Sequence, residues 1–152
     1  MSARHITLAI GFALAAHPAC FAAVLETLMS GEVRVATHLR EIDPGALRAL
    51  ENQFRYDHRL ADRDAPFQST DVVTQHGLPW RRLVLAAASG DTWFIHYEHG
   101  GEGLHSHLVA LARSGNSWRV VYSASGFYAY DTLPKLREAI RSQQFREQTY
   151  EL

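Results

Sequence analysis

Four of the nine histidines in this chain fall in one short segment, residues 96–107 (HYEHGGEGLHSH). The segment also holds Glu98 and a glycine-rich stretch, Gly100–Gly103, which is typical of a turn between two strands. Imidazole nitrogens and carboxylate oxygens are usual ligands of zinc and other divalent metals. These residue types therefore suggest either a metal site or a polar binding surface at the tip of a β-hairpin.

The pairing of the two strands decides which of these side chains meet. If Gly100–Gly103 forms the turn, Glu98 lies opposite His105 and His96 lies opposite His107. Alternate residues of a strand share a face, and directly opposed Cβ atoms are about 4.5–5.5 Å apart. This pairing predicts a site for zinc or another divalent metal with four ligands, His96, Glu98, His105 and His107. A shift of one residue would divide the four side chains between the two faces.

The same hairpin tip is also a predicted surface for a protein or small-molecule partner, a role that needs no cofactor. Polar side chains at a hairpin tip are most often simply solvated, and the segment lacks the supporting motifs of known metal sites, such as an HExxH helix. The predicted contact residues are Tyr97, Glu98, Glu102, His105 and Tyr122.

A second candidate surface is the aromatic group Phe127, Tyr128 and Tyr130, which precedes the last predicted helix. Such a group is either an exposed binding patch or an apolar contact that holds the helix on the sheet. The sequence carries no catalytic fingerprint and so favours a binding protein over an enzyme. The enzymatic alternative is a metal-assisted hydrolase with Glu98 as a fourth ligand or general base.

Hydrophobic periodicity and turn signals indicate the elements that position these residues. Period-two alternation predicts a strand over 32–40, and Asp43-Pro44 is a strong start for a helix over 44–55. Residues 23–30 suit a short helix or a frayed terminus, and a second amphipathic helix begins near Leu133. Further strands are predicted at 71–74, 81–88, 92–99, 104–113 and 118–125.

This order predicts an α+β fold, an antiparallel β-meander of five to six strands packed against one or two helices. It resembles the layout of cystatin-like and NTF2-like folds, an analogy of element order alone. Both faces of the central strands are apolar, so both need cover. Helices would cover one face. The other would be a small-molecule pocket, a second packing layer, or a surface buried by a partner or a homodimer mate.

The first 22 residues have the anatomy of a secretory signal peptide, with basic residues, an apolar run over 6–16 and small residues before an expected cut after Ala22. The apolar run falls short of the roughly 18 residues that span a bilayer, so no membrane span is expected after cleavage. We therefore predict export to the periplasm or beyond, with a single α+β domain at 23–152. Lipid attachment at Cys20 is the alternative, although a lipobox carries an aliphatic residue three positions earlier.

Composition narrows the class of partner. The chain has 15 basic and 16 acidic residues and no basic cluster, which argues against nucleic acid as the main partner. Its single cysteine lies in the predicted signal, so the mature domain must fold without a disulfide. We expect a small exported binding module of the inhibitor or immunity type that uses the 96–107 hairpin, with a metal-binding domain or hydrolase as the alternative.

Overall fold

The structure, a computed structural model, describes residues 18–73 and 75–148 of the chain. A seven-stranded β-sheet organises these residues. Its strands are β1 (Arg34–Ala36), β2 (Leu60–Ala61), β3 (Arg81–Ser89), β4 (Thr92–His99), β5 (His105–Ser114), β6 (Ser117–Gly126) and β7 (Arg146–Glu147). The strand order is β1-β3-β4-β5-β6-β7, and all of these neighbours pair antiparallel. Strand β2 pairs parallel with β3, off this path. The predicted α+β fold with an antiparallel meander is confirmed.

Helices cover both faces of the sheet, whereas the sequence suggested helices on only one. The three described helices are α1 (Pro18–Ser30), α2 (Pro44–Glu51) and α3 (Leu133–Arg141). On the first face, α2 packs over a core that contains Trp93, Ile95 and Leu111. On the second face, side chains of α1 and α3 pack over Phe94 and Leu108. We call these the α2 face and the α1/α3 face. A second packing layer therefore covers the face that the sequence left open.

Local hydrogen bonds explain where the elements begin and end. The Asp43 carboxylate accepts hydrogen bonds from the backbone N–H groups of Gly45 and Ala46 at 2.7 and 3.2 Å, which caps α2 at its predicted start. The strand predicted over 32–40 is shorter, because the Glu41 carboxylate accepts hydrogen bonds from two N–H groups at 37–38 and the chain turns into a 3-10 helix at 39–41. The strand predicted at 71–74 is absent from the described residues of that segment.

The pairing of β4 with β5 differs from the predicted pairing by one residue. His99 pairs with His105, and Tyr97 pairs with His107, so the predicted Glu98–His105 and His96–His107 pairs are wrong. The loop has five residues, 100–104, rather than four. Both strands are buried on both faces, so their sequences carry no apolar–polar alternation that would fix the register.

Contacts with the loop before β3 hold the hairpin in this register. The N–H of Gly100 donates to the carbonyl of Trp80 at 3.0 Å. A Cβ atom at position 100 would overlap the backbone of Gln68, so only glycine permits this close approach. The end of β4 is therefore fixed by tertiary contacts that lie outside the hairpin itself.

The predicted signal peptide falls mostly outside the described residues, since the description begins at Pro18. The expected cut after Ala22 lies in the first turns of α1. Within the described residues, no helix has the length and apolar character needed to cross a membrane.

Candidate functional site

The structure divides the four predicted metal ligands between the two faces of the sheet. His96 and Glu98 lie on the α1/α3 face, while His105 and His107 lie on the α2 face. Among the described residues, no group of three or more His, Cys, Asp or Glu side chains is placed to share a metal ion. The one-residue difference in register thus removes the predicted four-ligand arrangement.

Both ring nitrogens of His96 are already engaged inside the protein. Nδ1 donates a hydrogen bond to the carbonyl of His107 at 2.8 Å, and Nε2 accepts one from the N–H of Tyr130 at 2.9 Å. The ring also contacts the rings of Tyr130 and Phe145. Burial lowers the pKa of His96 to about 4, so the imidazole is neutral with its hydrogen on Nδ1. His96 therefore fixes the segment after β6 against the sheet.

Glu98 forms an ion pair in the lining of an open cleft. Its Oε2 accepts hydrogen bonds from Nη2 and Nε of Arg82 at 2.7 and 3.2 Å, and the Arg82 guanidinium lies over the ring of Phe67. The cleft has a volume of about 410 Å³ and is lined by Arg63, Asp64, Arg82, Leu83, Val84, Glu98, Ala129 and Asp131. One oxygen of the Glu98 carboxylate, Oε2, is therefore occupied by Arg82.

A polar cluster that the sequence did not predict lies on the α2 face. Arg81, His99 and His105 occupy one row across β3, β4 and β5, and Tyr97 pairs with His107 in the next row. The rings of Tyr97 and His107 are stacked with centroids 4.9 Å apart, and those of His99 and His107 are 5.7 Å apart. We call these five residues the Arg81 cluster. His105 is exposed, His99 is half-buried, and the other three are buried.

The guanidinium of Arg81 dominates the electrostatics of the Arg81 cluster, and it interacts with the Tyr97 side chain and with the Asp57 carboxylate. Burial and the nearby guanidinium lower the pKa of His99 to about 4 and that of His107 to about 3. Burial raises the pKa of Tyr97, against the opposing effect of Arg81. The imidazoles of His99 and His107 and the phenol of Tyr97 are therefore neutral at neutral pH, while the guanidinium of Arg81 remains charged.

The predicted partner-binding residues are split between the interior and the surface. Tyr97 and Tyr122 lie in the cores of opposite faces, and Glu98 is nearly buried beside its arginine. Glu102 and His105 are exposed at the tip. Only these two of the five are therefore placed where a partner could contact them directly.

Large apolar side chains lie exposed beside these two tip residues. Because Ser106 pairs with Gly126, the loop at 100–104 and the segment after β6 lie at the same end of the sheet. The exposed fractions are 71% for Phe127, 67% for Tyr128 and 45% for Leu104. The rings of Phe127 and His105 are 6.1 Å apart. We call Glu102, Leu104, His105, Phe127 and Tyr128 the tip patch.

The aromatic group at 127–130 is divided between the surface and the core. Tyr130 packs against the α1/α3-face core, whereas Phe127 and Tyr128 face outward. The two candidate sites are the tip patch on the surface and the Arg81 cluster beneath the same hairpin. Both are derived from the geometry of this chain alone, because no family model, curated protein or solved structure matches it.

Proposed function

We propose that this chain is a small exported binding protein of the inhibitor or immunity type, and that the tip patch is the surface that contacts a protein partner. The observation that carries the proposal is the exposure of two adjacent aromatic side chains, Phe127 and Tyr128, beside Leu104. Exposed apolar patches mark interaction sites, and aromatic residues are enriched among those that dominate binding energy. Export is taken from the signal peptide predicted at 1–22.

The backbone that carries the two aromatic residues is anchored on both sides. Gly126 pairs with Ser106 in the sheet, and the N–H of Tyr130 donates to the buried imidazole of His96. A segment that is held at both ends loses less conformational entropy when it binds. The exposed Glu102 and His105 supply polar groups at the edge of the patch, as in many interfaces.

The test is capture of a partner from periplasmic extract of the source organism, followed by titration of that partner against variants. We expect a Phe127→Ala/Tyr128→Ala double variant to lose at least about tenfold in affinity, since a central aromatic residue commonly contributes more than 1.4 kcal/mol. Glu102→Ala and His105→Ala should have smaller effects.

Tyr56 provides a matched control, because it is an exposed aromatic residue outside the tip patch, in the segment between α2 and β2. Tyr56→Ala should leave the affinity unchanged. The proposal is refuted if every captured partner binds the double variant as tightly as the unaltered protein, or if Tyr56→Ala weakens binding equally.

A further inference from the structure

The open cleft beside Glu98 lies at a gap in the edge of the sheet. Strand β2 pairs with β3 at 81–82, and β1 pairs with the same edge of β3 at 86–88. Among the described residues, no strand therefore lies beside the outer edge of β3 over 83–85. The pairing of β3 with β4 shifts at Val84, which lies in a β-bulge and lines the cleft. β-Bulges are frequent beside functional sites, and we call this cleft the edge cleft.

The size and lining of the edge cleft suit a small polar molecule with an aliphatic part. Its volume is about 410 Å³, and pockets for small ligands commonly have volumes of about 300–1,000 Å³. Leu83, Val84 and Ala129 form the apolar part of the lining. The rest of the lining consists of charged residues, namely Arg63, Asp64, Arg82, Glu98 and Asp131.

Two carboxylates of the edge cleft have oxygens that are open to a ligand. Oε2 of Glu98 is held by Arg82, whereas Oε1 makes no hydrogen bond with the described residues and is accessible to solvent. The Asp64 carboxylate is exposed, and it forms neither a hydrogen bond nor an ion pair with any described residue. Because an ammonium group has three N–H donors, it can bind both carboxylates at once.

Arg63 supplies a positive charge to the same cleft. Its Nη2 donates to the carbonyl of Asp131 at 3.4 Å, and its guanidinium also interacts with the Asp131 carboxylate. That carboxylate is bound by Lys135, whose Nζ donates to Oδ1 at 2.8 Å. The other guanidinium, that of Arg82, is paired with Glu98. Since a guanidinium has five N–H donors, Arg63 retains donors for an incoming carboxylate.

The charges of the edge cleft favour a ligand that carries both signs. Three carboxylates and two guanidiniums line the cleft, and Lys135 beside Asp131 makes the local charge neutral. A ligand with a single charge would meet a like charge as well as an opposite one, whereas a zwitterion can place each charge beside its opposite. Arg63 and Asp64 are consecutive in the chain, so the groups that would bind the two ligand charges lie close together.

We propose that the edge cleft binds a small amino-acid zwitterion with an aliphatic side chain. Asp64 and Oε1 of Glu98 bind its ammonium group, Arg63 binds its carboxylate, and its side chain contacts Val84 and Ala129. A free amino acid and a dipeptide both present these groups, and the open edge of β3 can pair with the peptide group of the latter. This inference goes beyond the proposed partner-binding role of the tip patch and does not depend on it.

The test is calorimetric titration of the purified, untagged protein at neutral pH with L-leucine and with the dipeptide L-leucyl-L-leucine. N-acetyl-L-leucine retains only the carboxylate, and L-leucinamide retains only the ammonium group. We expect saturable binding of a zwitterion, and binding of both single-charge analogues that is weaker by at least about tenfold. Tighter binding of leucine assigns the cleft to a free amino acid, and tighter binding of the dipeptide assigns it to a short peptide.

Charge removal in the edge cleft provides the second part of the test. Asp64→Asn and Arg63→Gln should each weaken binding of the zwitterion about tenfold, because a hydrogen bond between charged groups is lost. Neither side chain is buried, so both variants should fold. Asp91→Asn and Arg119→Gln are the matched controls, since they remove exposed charges outside the cleft and should leave the affinity unchanged.

Three results would overturn the proposal. The first is the absence of saturable binding of both zwitterions, and the second is equal binding of leucine and its single-charge analogues. The third is an unchanged affinity for the zwitterion in Asp64→Asn and Arg63→Gln.

Discussion

His96 Nε2 accepts a hydrogen bond from the backbone N–H of Tyr130 at 2.9 Å, and this contact connects the centre of the sheet to the segment that carries the exposed aromatic residues. The same ring donates from Nδ1 to the carbonyl of His107 on the neighbouring strand. One buried, neutral imidazole therefore links β4, β5 and the connection from β6 to α3. His96, one of the four predicted metal ligands, is therefore a structural link in the fold.

Acid should destabilise this protein in a defined pH range. The pKa of His96 is lowered by burial from 6.5 to about 4, so between these values the unfolded chain binds a proton that the folded chain does not. The contribution of His96 to the free energy of unfolding is therefore complete above about pH 6.5, falls as the pH decreases towards 4, and levels off below the folded-state pKa. The loss from His96 alone is on the order of 3 kcal/mol, at about 1.4 kcal/mol per pKa unit.

Urea unfolding at neutral pH and at about pH 4.5 measures this loss. His99 and His107 have lowered pKa values as well, so they contribute to the same trend. The slope of the unfolding free energy against pH reflects the number of protons that the chain takes up when it unfolds. His96→Gln should reduce this number by about one relative to the unaltered chain. An unfolding free energy that is constant between pH 7 and 4.5 would contradict the buried, neutral state of these rings.

A side chain at Gly100 should disturb the hairpin register. A Cβ at this position would overlap the backbone of Gln68, which cannot move aside as the end of a flexible side chain could. Gly100→Ala should therefore lower the free energy of unfolding by about 1–3 kcal/mol, as overpacking does elsewhere. Gly103→Ala is the matched control, since its nearest atom is the far end of the His105 ring at 3.3 Å.

The stabilities of the two variants are compared by urea unfolding. NMR spectra of the backbone amide groups report on the strand pairing in each variant. We expect the resonances of β4 and β5 to shift in Gly100→Ala and to change only near the loop in Gly103→Ala. Equal stability of the two variants would mean that the contact between Gly100 and Gln68 does not hold the hairpin.

The sequence was sufficient for the fold class but not for the site, for a physical reason. Turn residues and periodicity located β4 at 92–99 and the start of α2 at Pro44. They could not fix the register of two strands that are buried on both faces, since every shift buries apolar side chains on each side. In the sequence Arg81 is an ordinary charged residue at a strand end, and only its pairing with His99 across the sheet shows that it lies beside the histidines of the hairpin.

Signal cleavage after Ala22 should leave α1 attached to the fold. The packing of this helix depends on its later turns, where Leu28 is fully buried in the α1/α3-face core. Arg137 also donates hydrogen bonds to the carbonyls of Leu28 and Gly31, both at 2.9 Å. We expect the intact mass of the exported protein to correspond to residues 23–152, and Leu28→Ala to cost about 2–5 kcal/mol in that form. A mass that retains residues 1–22, or a negligible effect of Leu28→Ala, would contradict this assignment.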